Sequence, residues 1–277
     1  MPRRLSQLGP GVAWCDVNAD GWEDLIVGSG RGGRLSIFLN DGQGGFAPTN
    51  VPEFAQPLAR DQAGIVAWVK DDRTVLLVGS ANYEDGSAVG PGVRQFDFIR
   101  KIVDDSLSGQ MSSTGPLALG DFNGDGRLCL FAGGRVIPGR YPEAASSMFF
   151  RDEGGRWELD AENTKQLAKA GLVSGAIWSD LDGDGLPELI LACEWGPLRI
   201  FRNHGGRLTE TTEAWGLGKY YGWWNGVTAG DFDGDGKMDI IASNWGRNTK
   251  YQRYSEQPAR ITLILCVSSP KIGRAHV

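Results

Sequence analysis

Histidine is almost missing from this 277-residue chain, with only His204 and His276 present. That removes most routes to a histidine general base or a histidine-rich metal centre. Cysteine is nearly as sparse. Cys15, Cys129, Cys193 and Cys266 form no CxxC pair and no finger spacing, so they read as single thiols inside strands and leave the redox compartment open. No apolar run approaches the roughly 18 residues that a membrane-spanning helix needs. The opening Met1-Pro2-Arg3-Arg4-Leu5 carries charge without the apolar stretch of a secretion signal. Excess positive charge is absent too: the formal net charge is -6, which argues against general nucleic-acid binding.

What is abundant is glycine, at 41 residues, together with 10 tryptophans and 41% hydrophobic residues. That mixture suits many short strands joined by tight turns. Comparing the chain with itself exposes a repeat. An apolar strand leads into an acidic loop and out into a second strand at Asp16-Val-Asn18-Ala-Asp20-Gly21-Trp22-Glu23-Asp24, and again at Asp121-Phe-Asn123-Gly-Asp125-Gly126-Arg127-Leu128-Cys129. The pattern returns at Asp180-Leu-Asp182-Gly-Asp184-Gly185-Leu186-Pro187-Glu188 and at Asp231-Phe-Asp233-Gly-Asp235-Gly236-Lys237-Met238-Asp239. A fifth copy, with Trp68 aligned on Trp14, starts at Lys70 but lacks three loop residues and has its acids misplaced, which predicts a plain hairpin at 70–73. Later in each repeat, Ser36-Ile-Phe-Leu-Asn40-Asp41-Gly42 returns as 148–154 and 199–205, strands running into Asn/Asp-x-Gly turns. Four strands per repeat of about fifty residues is the blade of a β-propeller. The expected fold is therefore all-β: about five blades near 11–60, 61–110, 111–170, 171–222 and 223–261, the last incomplete, with a short helix near 163–170. The stretch 262–277 matches no earlier strand and resembles a translated adapter, so it is set aside as a non-native tail, and the chain reads as a fragment of a longer protein.

The loops carry the chemistry. Side-chain oxygens at positions 1, 3 and 5, a backbone carbonyl at 7 and a carboxylate at 9 can surround one hard cation, and calcium takes six to eight such oxygens. The predicted ligands are Asp16, Asn18, Asp20, Asp24 and the Trp22 carbonyl in the first loop. Asp121, Asn123, Asp125 and the Arg127 carbonyl serve the second, where Cys129 replaces the acid and weakens the site. Asp180, Asp182, Asp184, Glu188 and the Leu186 carbonyl serve the third, and Asp231, Asp233, Asp235, Asp239 and the Lys237 carbonyl the fourth. No nitrogen or sulfur ligand recurs, which disfavours zinc and copper. An EF-hand would need a glutamate at position 12, where Val27, Ala132, Leu191 and Ala242 stand. Metal-free acidic turns would leave four clusters of like charge unneutralised.

These loops resemble FG-GAP/VCBS repeats, the calcium-binding propeller blades of integrin α chains and many exported bacterial proteins. The segments 133–142, 192–197 and 222–226 are most similar to bacterial relatives of cartilage acidic protein, the ASPIC/UnbV-associated group. The resemblance covers roughly residues 11–246. It departs from the family at the degenerate second repeat and at Cys129. It implies bound Ca2+ and an extracellular, periplasmic or cell-surface location.

In a four-strand meander the acidic A–B turns share one end, and the B–C and D–A connections gather at the other. The long connections 80–92, 133–147 and 243–259 and the stretch 220–225 are thus expected to form a ligand face opposite the metal loops. Tyr83, Tyr141, Trp195, Tyr221, Trp224 and Trp245 beside Arg140, Glu194 and Asn244 could stack on sugar rings or receive a protein there. Trp195 and Trp245 are expected to pack between blades, and Trp14, Trp68 and Trp178 to be structural. The leading reading is a non-enzymatic adhesion or recognition scaffold for a protein or glycan ligand. A polysaccharide lyase and a sugar-binding lectin are the alternatives; a lyase needs a base converging with a substrate-side metal.

Overall fold

Alternating β-branched and aromatic residues, broken by acidic or glycine-rich turns, fold into antiparallel hairpins throughout the chain. The computed structural model describes residues 10–245 and the backbone of 262–265 and 273–275. Two compact units divide it: one takes in the chain to Leu117 with Val136–Tyr141, the other Ala118–Arg135 and everything from Pro142.

The first repeat is a meander of β1 (Val12–Cys15), β2 (Asp24–Val27), β3 (Ser36–Asn40) and β4 (Phe46–Thr49). The second is β5 (Asp61–Lys70), β6 (Arg73–Ala81), β7 (Pro91–Asp97) and β8 (Ile102–Ser108), again in sequence order. The third runs through β9 (Ser113–Gly120), β10 (Cys129–Val136), β11 (Met148–Asp152) and β12 (Trp157–Leu159). The fourth holds β13 (Leu172–Ser179), β14 (Glu188–Gly196), β15 (Arg199–Asn203) and β16 (Leu208–Glu210). In the fifth, β17 (Gly222–Gly230) and β18 (Asp239–Asn244) are followed by β19 (Thr262–Leu265) and β20 (Gly273–Ala275). β19 pairs onto β18 and β20 onto β19, so part of the tail set aside on sequence grounds carries strands and gives the fifth meander four. Main-chain hydrogen bonds suffice for that pairing without the side-chain pattern of the other repeats. Repeated four-stranded meanders are blades, and the fold class is an all-β β-propeller. The helix α1 (Ala161–Gln166) forms where Asp160 accepts the Asn163 N–H at 2.9 Å as its N-cap.

Cores form between successive meanders. Ile26, Ile37, Leu76, Val78 and Phe96 bury together between the first two. Phe122, Phe131, Phe149, Leu189 and Phe201 do so between the third and fourth, with Trp178 against Phe122 and Phe149. Leu181, Ile190, Ile200, Trp224 and Ile240 join the fourth and fifth. The glycine that leads each inner strand has a steric cause: a Cβ on Gly175 would meet the Gly226 Cα at 2.9 Å, and one on Gly64 the Leu117 amide nitrogen at 2.7 Å.

Two expectations fail here. Trp14, aligned with the buried Trp68, is 54% exposed and touches Phe46 edge-on, because no described sheet covers that face of β1. Trp224, expected on the ligand face, is core, its indole N–H donated to the Tyr220 carbonyl. Cys15, Cys129 and Cys193 are free and buried; burial pushes their thiols up to about 12, 11 and 12. Cys266 lies outside the described residues.

Candidate metal centres

The acidic turns are four copies of one backbone shape. In each, the position-6 glycine N–H donates to the position-1 aspartate: Gly21 to Asp16, Gly126 to Asp121, Gly185 to Asp180 and Gly236 to Asp231, at 2.8–2.9 Å. In each, the position-7 N–H donates to the position-5 aspartate at 2.9 Å, on Asp20, Asp125, Asp184 and Asp235. The glycines sit at φ 82–88°, which only glycine adopts without strain, so the loop curls its carboxylates inward.

Position 9 is the first residue of the B strand in every case, and strand pairing drives it under the loop. Asp24, Glu188 and Asp239 are 0%, 0% and 2% exposed. Each accepts the position-2 N–H: Val17 at 3.0 Å, Leu181 at 2.9 Å and Phe232 at 3.1 Å. Asp24 also takes the Asn40 N–H at 2.9 Å, and the Asn40 side chain donates to the Glu23 carbonyl, so the C–D hairpin braces the first loop.

Two loops bring three carboxylates within 4.8 Å of one another: Asp180, Asp182 and Glu188, and Asp231, Asp233 and Asp239. The donors are all oxygen, which suits a hard cation. Glu188 adds the sharpest test of fit. One of its oxygens is held by Leu181, while Oε1 is buried with no hydrogen-bond partner. Burial, then Asp182, Asp184 and Asp180, push its carboxyl up to about 7. A buried carboxylate oxygen facing other carboxylates is costly unless a cation answers it. In the Asp121 loop, Asp121 Oδ1 is likewise buried without a partner, but position 9 is the buried thiol of Cys129.

Asp184 does not join its neighbours as the sequence pattern predicts. Leu186 N–H and then Arg202 hold its carboxyl below the usual range, and Arg202 lies 2.7 Å from Asp182 and 3.1 Å from Asp184. Arg202, on β15, thereby places a fixed cation at the rim of this centre. Sequence reading missed it, although it precedes Asn203 in the same motif that places Leu39 before Asn40. Asp125 is similarly engaged by Arg127, whose guanidinium is 2.8 Å away. In the second repeat, Lys70 pairs with Arg73 across Asp71 and Asp72, both at positive φ (49° and 58°): a two-residue primed turn with no acidic loop, as expected.

At the opposite strand ends, Tyr221 is 71% exposed, Trp195 46% and Trp245 40%. Glu194 is instead buried against Arg135 and the Trp223 indole N–H. Among the described residues no helix is long and apolar enough to cross a membrane.

Repeated blades define a β-propeller, and two of its acidic A–B turns gather carboxylates that could hold a cation. Residues 180–242 match the FG-GAP-like repeat. Mouse cartilage acidic protein 1 is 26% identical over 92% of the chain, which spans 42% of that protein's length. The chain thus carries an FG-GAP-like repeat and is similar to that protein over most of its own length. Among solved structures, BBS1N in complex with ARL6DN overlaps with a TM-score of 0.45 at 9% identity, covering 85% of this chain and 76% of that one. A biofilm matrix protein of V. cholerae overlaps with a TM-score of 0.40 at 19% identity, covering 85% and 34%.

Proposed function

We propose that this chain is a calcium-stabilised, non-enzymatic recognition scaffold acting outside the cell, in the periplasm or at the cell surface. The observation that carries the metal assignment is Glu188: a fully buried carboxylate with an unanswered oxygen, beside Asp180 and Asp182. Ca2+ would be held there by Asp180, Asp182, Glu188 and the Leu186 carbonyl. Equivalent sets are Asp231, Asp233, Asp239 with Lys237, Asp16, Asn18, Asp20, Asp24 with Trp22, and a weaker one around Asp121, Asn123 and Asp125. The ion supplies charge neutralisation and cross-links the A and B strands. The relationship to a protein named for cartilage supports the extracellular placement.

The scaffold reading is favoured over a lyase by where the acids sit. The clustered acids lie in the A–B turns, whereas the open cleft and exposed aromatics lie at the B–C and D–A end, where Glu194 and Glu210 are held by Arg135 and Arg199. Calorimetric titration of Ca2+ into chelator-stripped protein tests the proposal. Uptake at three sites with a weaker fourth is expected, and Asp182→Ala should remove one. A folded sample that takes up no calcium overturns it.

A further inference from the structure

The strand β14 starts at Glu188 in a metal loop and runs about 25 Å, at ~3.3 Å per residue, to Gly196 at the other end of the sheet. There it carries an irregularity. Against β17 the register shifts between Glu194 and Gly196, leaving Trp195 between two paired residues at φ 57°. A left-handed tryptophan is strained, and a bulge at such a point re-aims the side chain. The indole is half exposed and tilted against Trp223 at a ring distance of 4.7 Å, and Trp245 stacks on Trp223 at 4.9 Å. Trp195 and Tyr221 border an open cleft of about 780 Å³ lined by β14, β15, the chain leading into β13 and the chain following β16. That volume lies within the range of small-molecule sites, ~300–1,000 Å³.

The charges in the cleft select the ligand. Arg199 is paired with Glu210 at 2.8 Å, and Glu194 with Arg135. What remains at the lining is Lys169 and Glu213, of opposite sign, so neither an anionic nor a cationic ligand is matched. Exposed aromatic faces, polar side chains without net charge and a concave shape fit a pyranose. Its C–H face carries slight positive charge against the ring's negative face, and its hydroxyls both donate and accept. A protein partner would instead need about 800 Å² of contact surface on each side, more than a concave cleft offers.

We infer that this cleft binds an uncharged oligosaccharide, with Trp195 and Tyr221 as stacking platforms and Lys169 and Glu213 as hydroxyl partners. This deepens the recognition half of the proposed function and is independent of which metal loops are filled.

The test titrates calcium-loaded protein with cellohexaose, laminarihexaose, maltohexaose and chitohexaose, with polygalacturonate as the charged comparison, reading tryptophan fluorescence and heat. Binding of at least one neutral hexasaccharide is expected. Trp195→Ala should weaken it about tenfold and Tyr221→Ala about threefold, within the range of one aromatic stack. Tyr221 is largely exposed, so its variant keeps the test valid if Trp195→Ala misfolds. Binding of none of the four, preference for polygalacturonate, or unchanged affinity in both variants overturns the inference. Calcium uptake is measured on the same samples: intact uptake without sugar binding sinks only the saccharide site, whereas failed uptake sinks the scaffold reading.

Discussion

Glu188→Gln in metal-free protein isolates the electrostatic burden of one centre. The Glu188 carboxyl stands at about 7 in the fold against an ordinary 4.5, raised first by burial and then by Asp182, Asp184 and Asp180. A group whose folded value is raised contributes stability that is complete below pH 4.5 and is lost as pH rises through 7. The shift corresponds to about 3 kcal/mol at ~1.36 kcal/mol per unit. At roughly 2–4 °C per kcal/mol for a chain of this size, that is about 6–12 °C in Tm. The carboxylates held below their usual range, Asp125, Asp160, Asp184 and Glu210 among them, change stability at lower pH and leave this window to Glu188. In chelator, the wild-type Tm should fall between pH 4.5 and 8. Glu188→Gln should flatten that fall and be the more stable protein at pH 8. With Ca2+ the wild type should recover, because the ion takes the carboxylate ionised and its uptake releases a proton, while the variant should gain less. Equal pH slopes for the two proteins in chelator, or equal protection by calcium, would refute the reasoning.

Three further outcomes are expected. Arg202→Met should tighten calcium binding at the Asp180 loop about two- to fivefold by calorimetry, since it removes a competing exposed ion pair worth ~0.2–1 kcal/mol; weaker binding would make Arg202 a positioning residue. Cys129→Asp should raise the number of tight calcium sites by one while lowering the metal-free Tm, because it buries a carboxylate where Cys129 is 3% exposed. Replacing Asp71-Asp72 by Asn-Gly should stabilise the protein by about 1 kcal/mol in denaturant melts, as both positions have positive φ.

The periodic parts of the molecule were legible because they depend on local spacing. Position-6 glycines forecast the inward curl, and three missing loop residues forecast the bare turn at Lys70–Arg73. The short helix came out close to its expected place because Asp160 can cap it. What local spacing cannot show is which strand neighbour leans over a loop. Arg202 reaches Asp182 and Asp184 through the β14–β15 register, in which Leu189 faces Phe201, and that register is a tertiary property. The aromatics at the far end were misassigned for a related reason. A register shift between Trp224 and Gly226 breaks the alternation from which side-chain direction is read, sending Trp224 inward. The bulge at Trp195 does the reverse and leaves half of that indole outside.

The pairing of Glu194 with Trp223 and of Gly196 with Gly222 joins the fourth and fifth meanders into one eight-stranded sheet. The first two repeats are also tied by main-chain hydrogen bonds, Gln62 N–H to the Ser29 carbonyl and Gly11 N–H to the Gln62 carbonyl, but their strands stay in separate sheets. The fourth and fifth instead pair strand to strand within one sheet. The two repeats therefore form a single cooperative block: their amides should exchange with deuterium together, and stripping the cation from the Asp180 loop should speed exchange in β18 as well as in β14.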